Sequence, residues 1–85
     1  MDALSPHTND ILRKLFRKKR IGGKHTEEKN CFRSVKNLSD EEQRLVYEEW
    51  VMCINEGLVL RMKKTGEWHV SLNPRMLKEI RRLTS

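Results

Sequence analysis

The segment that most constrains this chain is Asn55–Pro74, NEGLVLRMKKTGEWHVSLNP, where helical spacing stops at a glycine and two alternating runs follow. Leu58, Leu60 and Met62 alternate with Val59, Arg61 and Lys63, and Trp68, Val70 and Leu72 alternate with Glu67, His69 and Ser71. That is the period-two signature of half-buried strands. A three-residue loop of Lys64, Thr65 and Gly66 gives glycine the left-handed position such loops require. The loop then sets Met62 opposite Trp68, Leu60 opposite Val70 and Leu58 opposite Leu72, with the apolar side chains on one face. Lys63 and Glu67 close it as an opposite-charge pair. A slip of one residue would divide the apolar set between both faces. A lone two-stranded hairpin is marginal in water, so this one needs helices to cover it.

The flanking sequence supplies them. Ser5 and Pro6 suit an N-cap and first helical position, and a helix to about Arg20 collects Ile11, Leu12, Leu15 and Phe16 on one side. Arg13, Lys14, Arg17 and Lys18 fall on the other. Gly22 and Gly23 break the pattern, making Ile21–His25 a turn or short extended connector. Thr26, followed by Glu27 and Glu28, reads as the cap of a second helix that ends near Lys36, with Cys31, Phe32 and Val35 as its apolar stripe. Ser39-Asp40-Glu41-Glu42 is a capping box, and Leu38 is placed for a hydrophobic staple. The third helix, Asp40 to Glu56, carries Val46, Trp50, Cys53 and Ile54, with Leu45, Tyr47 and Val51 alongside, as a broad apolar face. Gly57 caps it. Asn73 and Pro74 open a fourth helix with Met76, Leu77, Ile80 and Leu83 at helical spacing. Trp50 and Trp68 both read as core, Tyr47 as partly exposed, and only the first four or five residues and the last two as loose.

Eighty-five residues with 36% hydrophobic content make one domain, residues 1–85, with a small core. No apolar run approaches a membrane span and the N-terminus has no signal-peptide stretch, so an intracellular, cytoplasmic protein is expected. Cys31 and Cys53 are expected to be reduced core thiols. His7, His25 and His69 form no zinc-ligand spacing with them, and no nucleophile, phosphate-loop or metalloprotease motif occurs. Neither an enzyme, a metal, a cofactor nor a small-molecule substrate is indicated.

Three helices, a strand entered through the Glu-Gly-Leu-Val step at Glu56–Val59, a turn containing Gly66 and a returning strand resemble the winged helix-turn-helix superfamily over about Asn9 to Leu72. The resemblance implies an α+β, mainly α fold: three helices, a two-stranded β-hairpin wing and a C-terminal helix. Such domains often place a short third strand in a connector like Ile21–His25. In the members that bind DNA, the third helix enters the major groove while the wing and the N-terminal part touch phosphates. Carried over, the groove-facing residues are Asp40, Glu41, Gln43, Arg44 and Glu48. Winged-helix domains also serve as protein-interaction modules.

Charge bears on that choice. The net charge of +6 is partitioned: Met1–Asn37 carries +6, Leu38–Gly57 carries −5 and Leu58–Ser85 carries +5. A third helix of that sign repels phosphates. Lys14, Arg17, Lys18, Lys19, Arg20 and Lys24, by contrast, form a patch able to grip a nucleic-acid backbone, with Lys63 and Lys64 at the wing tip as a second contact. The same basic run also reads as a solvated face complementing the helix dipole. The expected function is a nucleic-acid-binding or transcription-regulatory module attaching to the phosphates of double-stranded DNA. The alternative is a protein-interaction module presenting Asp40, Glu41, Glu42, Glu48 and Glu49 to a basic partner. The stripe of residues 74–83 either completes the chain's own core or pairs with a second copy.

Overall fold

The computed structural model describes residues 3–85 as an α+β fold of α1 (Pro6–Arg17), β1 (Thr26–Glu27), α2 (Glu28–Cys31), α3 (Asp40–Asn55), β2 (Val59–Lys64), β3 (Glu67–Leu72) and α4 (Leu77–Thr84). Short 3-10 turns occupy Val35–Asn37 and Pro74–Met76. The sheet is antiparallel with strand order β1-β3-β2, one strand more than the expected hairpin. The added strand, Thr26–Glu27, follows directly on the connector. Gly22 N–H donates to the Leu72 carbonyl at 2.9 Å and Leu72 N–H to the Arg20 carbonyl at 2.8 Å, so the chain leaving α1 is tied beside the end of β3. Continuing past Gly22, which has φ +60°, Thr26 and Glu27 pair with Val70 and His69 and satisfy the free edge of β3. Thr26 is therefore a strand residue and not a helix cap.

The second helix is also shorter than its spacing suggests. It lasts four residues, and Val35 reaches the core from the following 3-10 turn. Phe32 is half-buried, edge-on to Trp50 with ring centroids 5.3 Å apart and tilted against Tyr47 at 5.1 Å.

The hairpin register differs by one residue from the sequence reading. Thr65 (φ +48°) and Gly66 (φ +83°) form a two-residue turn with both central residues left-handed, the arrangement that matches strand twist. Lys64 then faces Glu67, Lys63 faces Trp68, Arg61 faces Val70 and Val59 faces Leu72. The apolar set is divided as a slip requires. Val59, Val70 and Leu72 are buried, Leu60 and Met62 are half-buried on the opposite face, and Trp68 is 39% exposed instead of in the core. Two demands account for it: Leu58 is consumed as a buried residue of the helix-to-strand junction, and the inner-face position at residue 61 meets a carboxylate, Glu28, that an arginine satisfies.

Ile11, Leu12 and Leu15 of α1, Val46, Trp50 and Cys53 of α3, and Ile80 and Leu83 of α4 close over the sheet residues in one core. Thus α4 spends its stripe inside the chain, and Arg13 Nε donates to the Thr84 carbonyl at 2.7 Å to hold its end. The outer residues Leu45 and Val51 of α3, expected on the apolar face, are exposed. Looseness at the N-terminus does not extend to Leu4, which is buried, or to Ser5; for Met1 and Asp2 that expectation lies outside the described residues.

Ser5 is held by Glu49, which is 9% exposed and so does not belong to the acidic outer face of α3. Its carboxylate accepts from Ser5 N–H at 2.9 Å, Ser5 Oγ at 2.6 Å and Thr8 Oγ1 at 2.6 Å. Glu49 thereby supplies, from another helix, the negative cap that the positive end of α1 favours. Glu49→Ala strands these donors and is expected to lower the unfolding free energy by about 2–4 kcal/mol in urea titration. A loss below about 0.5 kcal/mol would show that this cap contributes little.

Candidate functional site

The basic residues of α1 are positioned by how the helix ends. It stops at Arg17, three residues before the expected Arg20, because Lys19 adopts φ +57°. Lys19 N–H donates to the Phe16 carbonyl at 3.0 Å and Arg20 N–H to the Leu15 carbonyl at 2.9 Å, the paired bonds of a Schellman C-cap. The cap folds Arg20 back beside α1. Its carbonyl is meanwhile fixed by Leu72, so the side chain leaves from a backbone restrained on both sides.

Between α1 and α2 lies a groove of ≈ 450 Å³. Lys14, Lys18 and Arg20 line it from the side of α1, and Arg33 lines it from beyond α2. Thr26, Asn30 and Ser34 add neutral hydrogen-bonding groups, while Ile11, Leu15 and Cys31 supply its apolar part. Among the described residues, no carboxylate lines this groove. Arg33 Nη2 donates to Asn30 Oδ1 at 3.0 Å. Arg20 Nε is buried without a hydrogen-bond partner among the described residues. Burial pushes the Cys31 thiol up to about 11, with Glu28 adding to the shift and Lys18 opposing it, so the thiol is protonated at neutral pH.

Arg20 links this groove to the β2–β3 hairpin. His25 and His69 meet in a T-shaped contact with Nδ1···Nδ1 at 2.8 Å, and Arg20 and Lys64 both bear on His25. Burial, then Lys64, His69 and Arg20, hold the His25 imidazole below its ordinary value. A bond between two such nitrogens needs one ring to donate and the other to accept, so doubly protonated rings cannot keep it. Lys63 and Lys64 lie on opposite faces of β2. They alternate across the strand, Lys63 lying 5.6 Å from the Trp68 ring centroid and Lys64 on the face of His69.

Of the expected phosphate-binding residues, then, Lys14, Lys18 and Arg20 share the groove, Lys64 adjoins it through His25, and Arg17, Lys19 and Lys24 are exposed outside it. None of these, nor Lys63, forms an ion pair among the described residues; Arg13, Lys29, Arg61 and Arg82 do. The expected acidic partner surface is thinned. Glu49 faces inward, and Glu42 is engaged by Ser39 and His7, which together hold its carboxyl below the usual range. Asp40, Glu41 and Glu48 remain exposed, together with Leu45, Tyr47, Val51 and Met52.

Arg33, Thr26, Asn30 and Ser34 were not apparent from sequence. Arg33 and Ser34 lie beyond the early end of α2, where a continuous helix was expected, and Thr26 lies on the unexpected strand β1. The histidine pair likewise depends on β1, which no spacing announces. Among the described residues, no three or more His, Cys, Asp or Glu side chains gather as a metal site, and no helix is long and apolar enough to cross a membrane. No family model, characterised protein or solved structure matches the chain.

The histidine pair gives a pH dependence with a definite sign. Folding holds His25 below the value of about 6.5 that an unfolded histidine has, so as pH falls through that value the unfolded chain binds more protons and stability declines. Urea midpoints measured from pH 8 to pH 5 should fall in the wild type and fall less in His25→Phe. Equal slopes would remove the pair as the cause.

Proposed function

We propose that this chain is a winged-helix module that attaches to nucleic-acid phosphates through the end of α1 and the wing, without base readout. The element order α1-β1-α2-α3-β2-β3 and the sheet order β1-β3-β2 support the winged-helix reading. The observation that carries the function is the groove lined by Lys14, Lys18, Arg20 and Arg33 with no acid among its lining residues. Cations left without carboxylates keep their full field available to a polyanion, and releasing the polyanion's condensed counterions drives association. Lys64 extends this field onto the wing through its proximity to His25.

The outer face of α3 points to a different use. Asp40, Glu41 and Glu48 repel phosphate, and Leu45, Tyr47, Val51 and Met52 offer apolar surface that a duplex would not cover. On this reading α3 stays off the bases and serves contact with a protein, as a transcription-regulatory module would need.

Titration of a duplex at two salt concentrations tests both parts. Binding is expected at low salt, and replacing Lys18, Lys19 and Arg20 with alanine should flatten the salt dependence by close to one unit per contacting cation. Reversing Asp40, Glu41 and Glu48 to lysine should leave affinity unchanged or raise it; a loss would place α3 against the bases. No binding at low salt would defeat the nucleic-acid reading.

A further inference from the structure

We infer that the groove between α1 and α2 is a discrete site for a nucleoside 5′-monophosphate group, either a free nucleotide or the 5′ end of a strand. This rests on the same acid-free groove as the function above, but asks more of it than a general positive field. Three features make it a pocket for one ligand.

The first is size. At ≈ 450 Å³ the groove has room for a nucleotide and lies within the usual size range of small-ligand sites. A phosphodiester inside a duplex has a sugar on either side and sits on a convex surface, whereas a terminal monoester has one free side and can enter a cleft between two helices. The second is charge. Lys14 and Lys18 on one wall and Arg33 on the other converge with Arg20, enough positive charge for the −1.5 to −2 or so that a phosphate monoester carries at pH 7. Guanidinium groups suit its oxygens because they present paired donors in one plane.

The third is an unmet donor beside an apolar floor. Arg20 Nε is removed from water and has no acceptor among the described residues, a costly state for an ionised group. A phosphate oxygen brought to the guanidinium by a small rotation of the side chain supplies one. Leu15 and Cys31 then give the base or sugar an apolar surface that a bare inorganic ion would leave unused.

Cys31 is a built-in reporter, since it lines the groove while Cys53 is fully buried in the core. Alkylation of Cys31 by N-ethylmaleimide, resolved from Cys53 by mass, is measured with adenosine 5′-monophosphate or adenosine, and with a short duplex bearing either a 5′-phosphate or a 5′-hydroxyl. The monophosphate should slow Cys31 modification several-fold where adenosine does not. Arg20→Gln and Arg33→Gln, each with a native-like amide NMR spectrum, should weaken this protection roughly tenfold or more. Protection by the 5′-phosphorylated duplex alone among the duplexes assigns the strand end as a source, and protection only by the free monophosphate assigns the nucleotide. Equal protection by adenosine and its monophosphate, or protection by neither, overturns the site. If the duplex binds at low salt with either end and never shields Cys31, backbone attachment stands and the groove site falls. Should the monophosphate shield Cys31 in a chain that binds no duplex, the groove site stands and the nucleic-acid reading falls.

Discussion

One carboxylate ties the sheet to the helices. Glu28, at the start of α2, accepts from Arg61 Nε at 2.8 Å and Nη2 at 3.0 Å on β2, and from Trp50 Nε1 at 2.8 Å on α3. Burial pulls its carboxyl upward, but the Arg61 and Trp50 hydrogen bonds outweigh burial and hold it below the usual range. The ion pair is bidentate and half-sheltered, a geometry in which the strength of charge-assisted bonds is retained. Arg61 in turn lies over Trp68, 3.8 Å from its ring centroid, so the exposed indole is covered by the cation that Glu28 fixes. The hairpin register, the short second helix and the position of the hairpin against the helices all have to be compatible with this contact.

The same economy of acids shapes the molecule's field. Glu28 serves Arg61, Glu49 serves neutral donors at the start of α1, Glu27 and Glu67 share Lys29, and Glu79 pairs with Arg82. Asp10 pairs with Arg13 on α1, while Asp40, Glu41 and Glu48 stay exposed on α3, away from the groove lining. Among the described residues, basic side chains at the end of α1 therefore meet no opposing charge within the groove, and the separation of sign seen along the sequence persists in space.

What sequence could disclose was set by the range of the interactions involved. Helix α3 was legible because its capping box, with Ser39 Oγ receiving Glu42 N–H at 3.2 Å, is local, as was the glycine junction after it. The inward stripe of α4 was legible for the same reason. The register was not, because alternation alone permits two choices one residue apart, and the choice between them is made by Glu28, 33 residues away from Arg61 in sequence. Glu49 was misplaced for an equivalent reason: it is one of a run of acids, and only the donors of Ser5 and Thr8 distinguish it. Within the candidate site, the cations of α1 were visible as a run, whereas Arg33 and the pairing of His25 with His69 follow from tertiary contacts.

Two residues adopt left-handed backbone conformations that glycine would take at no steric cost: Lys19 at the end of α1 and Thr65 in the β2–β3 turn. Each costs on the order of 1 kcal/mol relative to glycine. Each also directly adjoins one of the two cations that bear on His25, Lys19 preceding Arg20 and Thr65 following Lys64. Glycine at either position would relieve the strain but widen the conformations open to the neighbouring cation. A side chain at residue 19 narrows the routes by which Arg20 can leave the cap, and a β-branched one at residue 65 stiffens the turn that presents Lys64. The strain thus sits where the basic surface turns from α1 to the hairpin, and rigidity there fixes the spacing of two like charges that would otherwise move apart.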